Sequence, residues 1–382
     1  MRRTLAALAA AALLVAGAAG CAGPAASQSA GTQAPSSLAG SETTAPSPDA
    51  APLEGIVPLA DPASYQGPST AVLGTATITP VADPTPDLPA TVTSHSPDGD
   101  EEVTVTAVDR VVAMDISGSI AGTVWGLGLG DSLVGRDIAA DFPGTEDVPV
   151  VTGSSHSVNV EAILALEPTL VLTDGSIGPR RAVTQLADAG ITVVFLDNQA
   201  SFDGAAQLAR DVAAALGVDD AGETLAQSIL ADVEDTAAAI AAIAPATPLR
   251  MAFVYLRGSA DVYYLFGEDS GADHLFEALG GVDAGSEAGI KGEQPMTDEA
   301  MIAMDPDVIF VMSSGLESVG GVDGLLASKP AVALTTAGQQ RRFVDMDDSL
   351  VLSFGPRSAD ILEALAVAVY APMDSGATAA SS

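Results

Sequence analysis

Glu161-Ala-Ile-Leu-Ala-Leu-Glu-Pro-Thr-Leu-Val-Leu-Thr173 aligns without a gap to Glu299-Ala-Met-Ile-Ala-Met-Asp-Pro-Asp-Val-Ile-Phe-Val311, at an offset of 138 residues. In each copy a polar residue, Asn159 or Thr297, stands where a helix N-cap is expected. A short amphipathic helix follows, Pro168 or Pro306 ends it, and an unbroken apolar run follows that suits a strand buried on both faces. Two similar helix–strand units account for the apolar positions. They do not require a Glu in the first turn of both helices, which the helix dipole favours by only about 0.3–1 kcal/mol each. The spacing therefore predicts two related lobes carrying one equivalent acidic position apiece.

Working outward, short apolar runs alternate with helical stretches. Strands are expected at Val111–Met114, Leu170–Thr173 and Thr192–Leu196, with helices within Ile116–Leu129, at Pro179–Ala189 and at Asp203–Leu216, the last closed by Gly217. Ala221–Ile243 is a long Ala-rich helix without Pro, its one Gly standing at the second position, that stops before Pro245. A second series follows, with strands at Met251–Leu256, Val308–Met312 and Phe343–Asp345 and a last helix at Ser358–Tyr370. Alternation of this kind argues an α/β fold with mainly parallel sheets. The expected architecture is two Rossmann-like lobes, residues 101–218 and 246–382, joined by one long interlobe helix at 219–245.

The amino-terminal region is of another kind. Arg2 and Arg3 precede an apolar stretch from Leu5 to Val15, and small residues lead to Cys21. A basic start, a short apolar core and a small-residue cleavage site describe an export signal over residues 1–20 rather than a membrane span. Ala18-Ala-Gly-Cys21 resembles the lipobox of bacterial lipoproteins, although Leu is commoner than Ala at the first position. That resemblance implies cleavage before Cys21, a lipid on its sulfur, and a protein held at the outer face of the cytoplasmic membrane. Residues 22–100 are rich in Ala, Pro, Ser, Thr and Gly and poor in large apolar side chains, so a flexible tether is expected. Only Glu102-Val-Thr-Val-Thr106 alternates like a strand.

Composition closes several doors. Fourteen basic residues against fifty acidic ones give a formal charge of −36, the opposite of the basic footprint nucleic acid requires. Cys21 is the single cysteine of 382 residues, so neither an internal disulfide nor a thiolate metal cluster can form within one chain. No G-x-S-x-G elbow, phosphate-binding G-K-[ST] loop or cysteine cluster suggests an enzyme.

Further motifs carry a family resemblance. Asn159-x-Glu161 with Ile-Leu-Ala-Leu-Glu-Pro, then Leu-Val-Leu, Leu186-Ala-x-Ala-Gly190-Ile and Leu127-Gly-Leu-Gly-Asp-x-Leu-Val-Gly135 together resemble the solute-binding proteins of ABC importers for vitamin B12, siderophores and haem, over roughly Val108–Pro372. The resemblance implies the class III periplasmic-binding-protein fold, with the ligand between the lobes. It also implies that one glutamate per lobe, here Glu161 and Glu299, docks onto arginines of the permease. Gly153-Ser-Ser-His156-Ser-Val-Asn159, Thr173-Asp-x-Ser-Ile-Gly-Pro179, Tyr255-Leu-Arg257-Gly258 and Phe354-Gly-Pro-Arg357 are most similar to the haem-binding lipoproteins of actinobacterial haem uptake systems. There, haem b as transported ligand is held through a His and a Tyr from opposite lobes, with an Arg supporting the Tyr. The corresponding residues here are His156, Tyr255 and Arg257.

The residue chemistry stands beside that resemblance. His156 lies in a Ser- and Gly-rich loop, whereas His95 falls in the expected tether and His274 on an expected helix. Tyr255 and Arg257 are two apart on a strand and so share a face. A free phenol is protonated at neutral pH, and a guanidinium beside it favours the phenolate, a hard donor to ferric iron. Tyr263 and Tyr264 are candidate pocket walls. Haem carries two propionates, for which Arg180, Arg181, Lys291 and Arg357 are candidate partners, and Met296 is a candidate for contact with the ring. On residues alone a siderophore- or B12-binding protein of the same family remains open. A bare-metal binder is poorly served by two histidines in the folded part.

Overall fold

The computed structural model describes Leu53 and residues 55–74, 77–153 and 156–372. The export signal, Cys21 and the tether up to residue 52 lie outside the described residues. The amino-terminal lobe runs β4 (Val111–Met114), α1 (Ser119–Gly126), β5 (Leu133–Arg136), α2 (Val160–Ala165), β6 (Leu170–Thr173), α3 (Arg180–Asp188), β7 (Thr192–Phe195) and α4 (Phe202–Leu216), after β1 (Ser69–Thr70), β2 (Ala90–Ser96) and β3 (Gly99–Val105). Its sheet is four-stranded and parallel, in the order β5-β4-β6-β7. The long helix α5 (Asp219–Ala241) leads to the second lobe. There β8 (Arg250–Arg257), β9 (Val262–Phe266), α6 (Ala272–Ala278), β10 (Val282–Asp283), α7 (Ala284–Glu287), β11 (Glu293–Pro295), α8 (Asp298–Met304), β12 (Val308–Met312), α9 (Ser313–Ser318), α10 (Gly321–Ser328), α11 (Pro330–Leu334), α12 (Thr336–Gln340), β13 (Phe343–Met346) and α13 (Ser358–Tyr370) follow. The second sheet has the order β1-β13-β12-β8-β9-β11, with β10 beside β8; the β8–β9 and β9–β11 pairings are antiparallel and the rest parallel.

The strands β4 and β6 are buried along their whole length because helices cover both faces of the sheet. One apolar layer runs through both lobes. Val111, Leu172, Ala209, Leu225, Phe253, Phe310 and Leu365 belong to the same core. The helix α5 supplies its middle through Ala221, Leu225, Ala226, Ile229, Val233 and Ile240, whose spacings of three, four and seven form one stripe. It lies close against α4: a Cβ on Gly222 would stand 2.3 Å from that of Ala213. Gly217, with φ +69°, closes α4 in the left-handed conformation that a side chain resists. Because each buried Leu or Phe contributes about 1.5–3 kcal/mol, the shared layer ties the lobes together well beyond a single linker.

The internal repeat is structural. Asn159 Oδ1 accepts from the amide of Ala162 and Thr297 Oγ1 from that of Ala300, both at 3.1 Å. Each helix ends on an acidic residue of positive φ, Glu167 at +46° and Asp305 at +35°, before its proline. Arg110 donates to the carbonyls of Leu166 and Glu167, and Arg250 to that of Met304. Each arginine sits at the start of its lobe's central strand and caps the helix that feeds the neighbouring one.

The stretch 55–105, expected as tether and strand start, is built into the fold. Leu59 and Ala71 donate amides to the carbonyls of Tyr370 and Asp345, and β1 adds an edge strand to β13. Val81 and Asp87 bond to Gly126 and Gly217 of the first lobe, and the β2–β3 hairpin packs on β7 and α4. The low apolar content misleads because the segment is held by main-chain bonds and a few anchors, Ala71, Ile78 and Ser94 among them. Among the described residues no helix is long and apolar enough to cross a membrane.

One half-buried acid at the start of α13 gives a stability test. Burial, and next the repulsion of Glu363, push Asp360 up to about 6, against the pull of Arg357. The folded form therefore keeps a proton that the unfolded chain surrenders near pH 4. Stability falls as pH rises through that window, and above it the ionised carboxylate carries the full penalty. After discounting for partial exposure and for the helix dipole that favours an acid in the first turn, about 1 kcal/mol remains. Asp360→Asn is expected to raise stability by that amount at pH 7 and by nothing measurable at pH 4, read from denaturant midpoints at both pH values.

Candidate functional site

The parallel strands of both lobes end at one cleft. Ile116 follows β4, Ile138 and Ala139 follow β5, Tyr255 and Arg257 end β8, Met312 ends β12, and Asp347 and Asp348 follow β13. These residues and His156 line a cavity of about 600 Å³. That is the volume and the place, at strand carboxyl ends, where α/β sheets bind small molecules. A second cavity of about 370 Å³ shares Ile116, Tyr255, Met312 and Asp348 with the first and continues along Tyr264, Phe266 and Leu352. Its walls are more apolar and aromatic. The lobes also meet directly at the cleft, where Ser353 Oγ donates to the carbonyl of Ser117.

Tyr255 is presented by the β8–β9 pairing, which sets it opposite Tyr264, and its ring stacks on Phe266 at 6.5 Å between centroids. Arg257 lies over the same ring, its Cζ 4.7 Å from the centroid. The guanidinium is fixed there by Asp348, whose Oδ2 accepts from Nη2 at 2.8 Å, and by the carbonyl of Leu256 at 3.1 Å. Ser314 holds Asp348 in turn through its amide at 3.0 Å and its hydroxyl. The Tyr255 ring therefore packs against both a cation and an aromatic side chain, and the residue lines the cavity. Arg257 meets Tyr255 through the face of the ring, so the expected support is stacking and local positive charge.

His156 faces the same cavity from the first lobe. Its amide donates to the carbonyl of Gly153 at 2.9 Å, and its φ is +53°, in the left-handed region. Its Nδ1 is buried and makes no hydrogen bond among the described residues, unusual for a native polar atom. Beneath the cleft on this side lie two buried acids that shape its loops. Asp115 accepts from the amides of Ser119 and Ile120 at 3.0 Å each, and Asp137 from those of Ala139 and Ala140 at 2.7 and 2.9 Å. Burial first, then the charge of Asp115, push Asp137 up to about 8.

The expected propionate partners are elsewhere. Arg180 pairs with Asp98 of the β2–β3 turn, and Arg181 is exposed on the same helix. Lys291 pairs with Glu268 at 2.5 Å, and burial lowers the pKa of Arg357, which lies at the start of α13 with its Cζ 5.3 Å from the Phe142 ring. None of the four lines either cavity. Met296 packs against the second lobe's core. His95 pairs with Asp100, and His274 lines a separate recess. Tyr264 is a pocket wall, as expected, whereas Tyr263 packs on the lobe core under Lys329. Glu161 and Glu299 are exposed at the starts of α2 and α8 and line neither cavity of the cleft. Asp348, Met312, Ile116 and Ile138 were not singled out in sequence. Only their common position just after buried strands marks them.

Residues 115–350 match the family of periplasmic binding proteins. The chain belongs to that family. Its members are binding proteins, and the match spans both lobes and the helix between them. A crystal structure of the heme binding protein HmuT is 38% identical, covers 81% of this chain and 99% of its own, and superposes with a TM-score of 0.75. Alanine variants of HmuT at one histidine, one tyrosine and one arginine have also been solved; those three positions stand 99 and then 2 residues apart, as His156, Tyr255 and Arg257 do here. Among curated relatives, the ABC transporter substrate-binding lipoprotein YvrC of Bacillus subtilis is 27% identical over 64% of this chain and 76% of its own. A cobalamin-binding protein of Halobacterium salinarum is 28% identical over 69% of each.

Proposed function

We propose that this protein captures haem in the cleft outside the cell and delivers it to the permease of an ABC importer. The carrying observation is that a histidine of one lobe and a tyrosine of the other, the latter clamped by Arg257, line a single cavity. Imidazole and phenolate are both haem-iron ligand types. In this reading His156 and Tyr255 take the two axial positions, with apolar Ile116, Ile138 and Met312 against the macrocycle. The unpartnered ring nitrogen of His156 and the intervals shared with the altered positions of HmuT support it. Among the described residues Arg257 is the one lysine or arginine lining the cavity, and Asp348 already engages it. The propionates are therefore expected to project towards solvent.

Titration of the purified protein with haemin tests this. A one-to-one complex at micromolar concentration, with an altered Soret band and a phenolate-to-iron charge-transfer band, is expected. The cobalamin-binding relative supports a corrinoid as second reading. Saturation by a cobalamin without any spectral response to haemin would make that the function. Docking is assigned to Glu161 and Glu299, one per lobe, and membrane attachment to a lipid on Cys21. Incorporation of labelled fatty acid that persists in Cys21→Ala would remove the anchor.

A further inference from the structure

The two cavities of the cleft differ in how their charges are balanced. Asp141, Asp347 and Asp348 line the cavity of about 600 Å³, and each faces a cation. Asp348 pairs with Arg257 at 2.8 Å, Asp141 pairs with Arg136 at 3.1 Å, and Asp347 acts on the charge of Arg357. The cavity of about 370 Å³ has no lysine or arginine on its walls among the described residues. It adds Glu293, an exposed carboxylate with no ion pair or side-chain hydrogen bond among the described residues. The sheet explains its neighbours. Glu293 of β11 stands opposite Phe266 of β9, and Tyr264 of β9 stands opposite Tyr255 of β8. Opposed residues share a face, as do residues two apart, so one face of three strands presents Tyr255, Tyr264, Phe266 and Glu293 together. The lobes touch along this cavity: Ser353 bonds to Ser117, and a Cβ on Gly271 would stand 3.0 Å from that of Ala200.

Haem has a chemically divided perimeter. Both propionates stand on one edge, and methyl and vinyl groups occupy the opposite edge. Tyr255 and Met312 line both cavities, so a macrocycle whose iron meets Tyr255 reaches into each. A carboxylate moved from water into an aromatic recess without a cation loses its hydration and gains no partner. An unpaired carboxylate nearby adds repulsion, which a low dielectric strengthens. Methyl and vinyl groups gain from the same transfer.

We infer that the smaller cavity is the subsite for the carboxylate-free edge of the porphyrin, walled by Tyr264, Phe266 and Leu352, with Glu293 turning away any porphyrin that carries a carboxylate there. The inference rests on the haem reading proposed above and narrows it to a substrate class, iron porphyrins whose carboxylates all lie on one edge. Porphyrins with a propionate on every pyrrole ring are rejected. The propionates of the accepted ligand leave by the larger cavity, where each carboxylate of the protein already faces a cation. Glu293 thus supplies selectivity by repelling the wrong ligand, and the aromatic walls supply contact to the right one.

The test titrates the full-length protein at neutral pH with three ferric porphyrins, followed in the Soret band. They are haemin, its dimethyl ester, and iron coproporphyrin III, which bears propionates where haem bears vinyls. The parent should bind haemin about a hundredfold more tightly than iron coproporphyrin III, and the ester within about threefold of haemin. Glu293→Lys places a cation at the recess and should narrow the preference to about tenfold or less, with Glu293→Gln in between. A gain for iron coproporphyrin III is an outcome that misfolding does not produce. Leu352→Ser should weaken haemin binding about tenfold and keep the charge-transfer band, because a wall is lost and not a donor. Equal affinity of the parent for haemin and iron coproporphyrin III, or a preference unmoved in Glu293→Lys, would overturn the subsite. So would a large loss with the ester, an unweakened Leu352→Ser, or two haemins bound per chain, since a second macrocycle would fill the smaller cavity. A parent that binds haemin without this preference keeps the haem reading and loses the subsite. A parent that binds no haemin loses both.

Discussion

Tyr255→Phe is expected to bind haemin more than about a hundredfold less tightly than the parent and to lose the charge-transfer band. Partners one step removed from a metal already cost 10–100-fold when deleted, so loss of a donor atom itself should exceed that range. The substitution is a clean probe because only one oxygen leaves. The stack on Phe266 and the contact with the Arg257 guanidinium act through the ring, which Phe retains. The pair between Arg257 and Asp348 does not involve the phenol. A folded protein with an intact cavity and one donor fewer is the outcome, and near-identical melting of variant and parent is the control.

His156 needs a different substitution. Its φ of +53° disfavours alanine, so His156→Ala would confuse backbone strain with loss of a ligand. Asn tolerates that conformation, and His156→Asn isolates the imidazole. A smaller loss with a shifted spectrum is expected if the clamped tyrosine is the stronger anchor. An unchanged spectrum in Tyr255→Phe would refute the axial assignment whatever His156→Asn does.

The parts of the fold legible in sequence were those built on apolar continuity. β4, β6 and β12 are short runs, buried nearly throughout and bounded by turn residues, and they occur at the expected residues. The long helix was legible because no proline interrupts it and its one glycine, Gly222, lies near its start; the structure starts it two residues earlier, on Asp219 and Asp220. The amino-terminal segment was not legible, because its apolar anchors, Leu73, Ile78, Val81 and Leu88 among them, stand singly between Pro, Ser, Thr and Asp, and main-chain hydrogen bonds supply the rest of its hold. The site divides in the same way. Tyr255 and Arg257 lie two apart on a strand, so their shared face could be read locally. The carboxylate that positions the arginine, Asp348, is 91 residues away and could not. Composition leaves the propionate partners open in the sequence. With fifty acids to fourteen bases, a lysine or arginine readily finds a nearby carboxylate, as Arg180 and Lys291 do, and its place in sequence says little about a ligand.

The second large effect concerns delivery. Glu161→Lys combined with Glu299→Lys is expected to reduce haem uptake by cells more than about a hundredfold, since a like charge facing a basic receptor costs several kcal/mol at each contact. Haemin binding by the same variant should stay within about twofold, because neither helix start lines the cleft. Some stability is lost as well. A cation in the first turn of α2 or α8 opposes the helix dipole, at about 0.3–1 kcal/mol per site. The Glu→Gln pair separates the contributions: it removes the attraction without adding repulsion, so its uptake should fall between parent and reversal. Single reversals should each give a partial loss if the lobes dock independently, and nearly the full loss if both must engage before haem is released. The N-caps Asn159 and Thr297 remain in place in every variant, so the helices themselves persist. Parental uptake by the double reversal, with haemin binding intact, would mean that the repeated glutamates serve only the helix starts on which they stand.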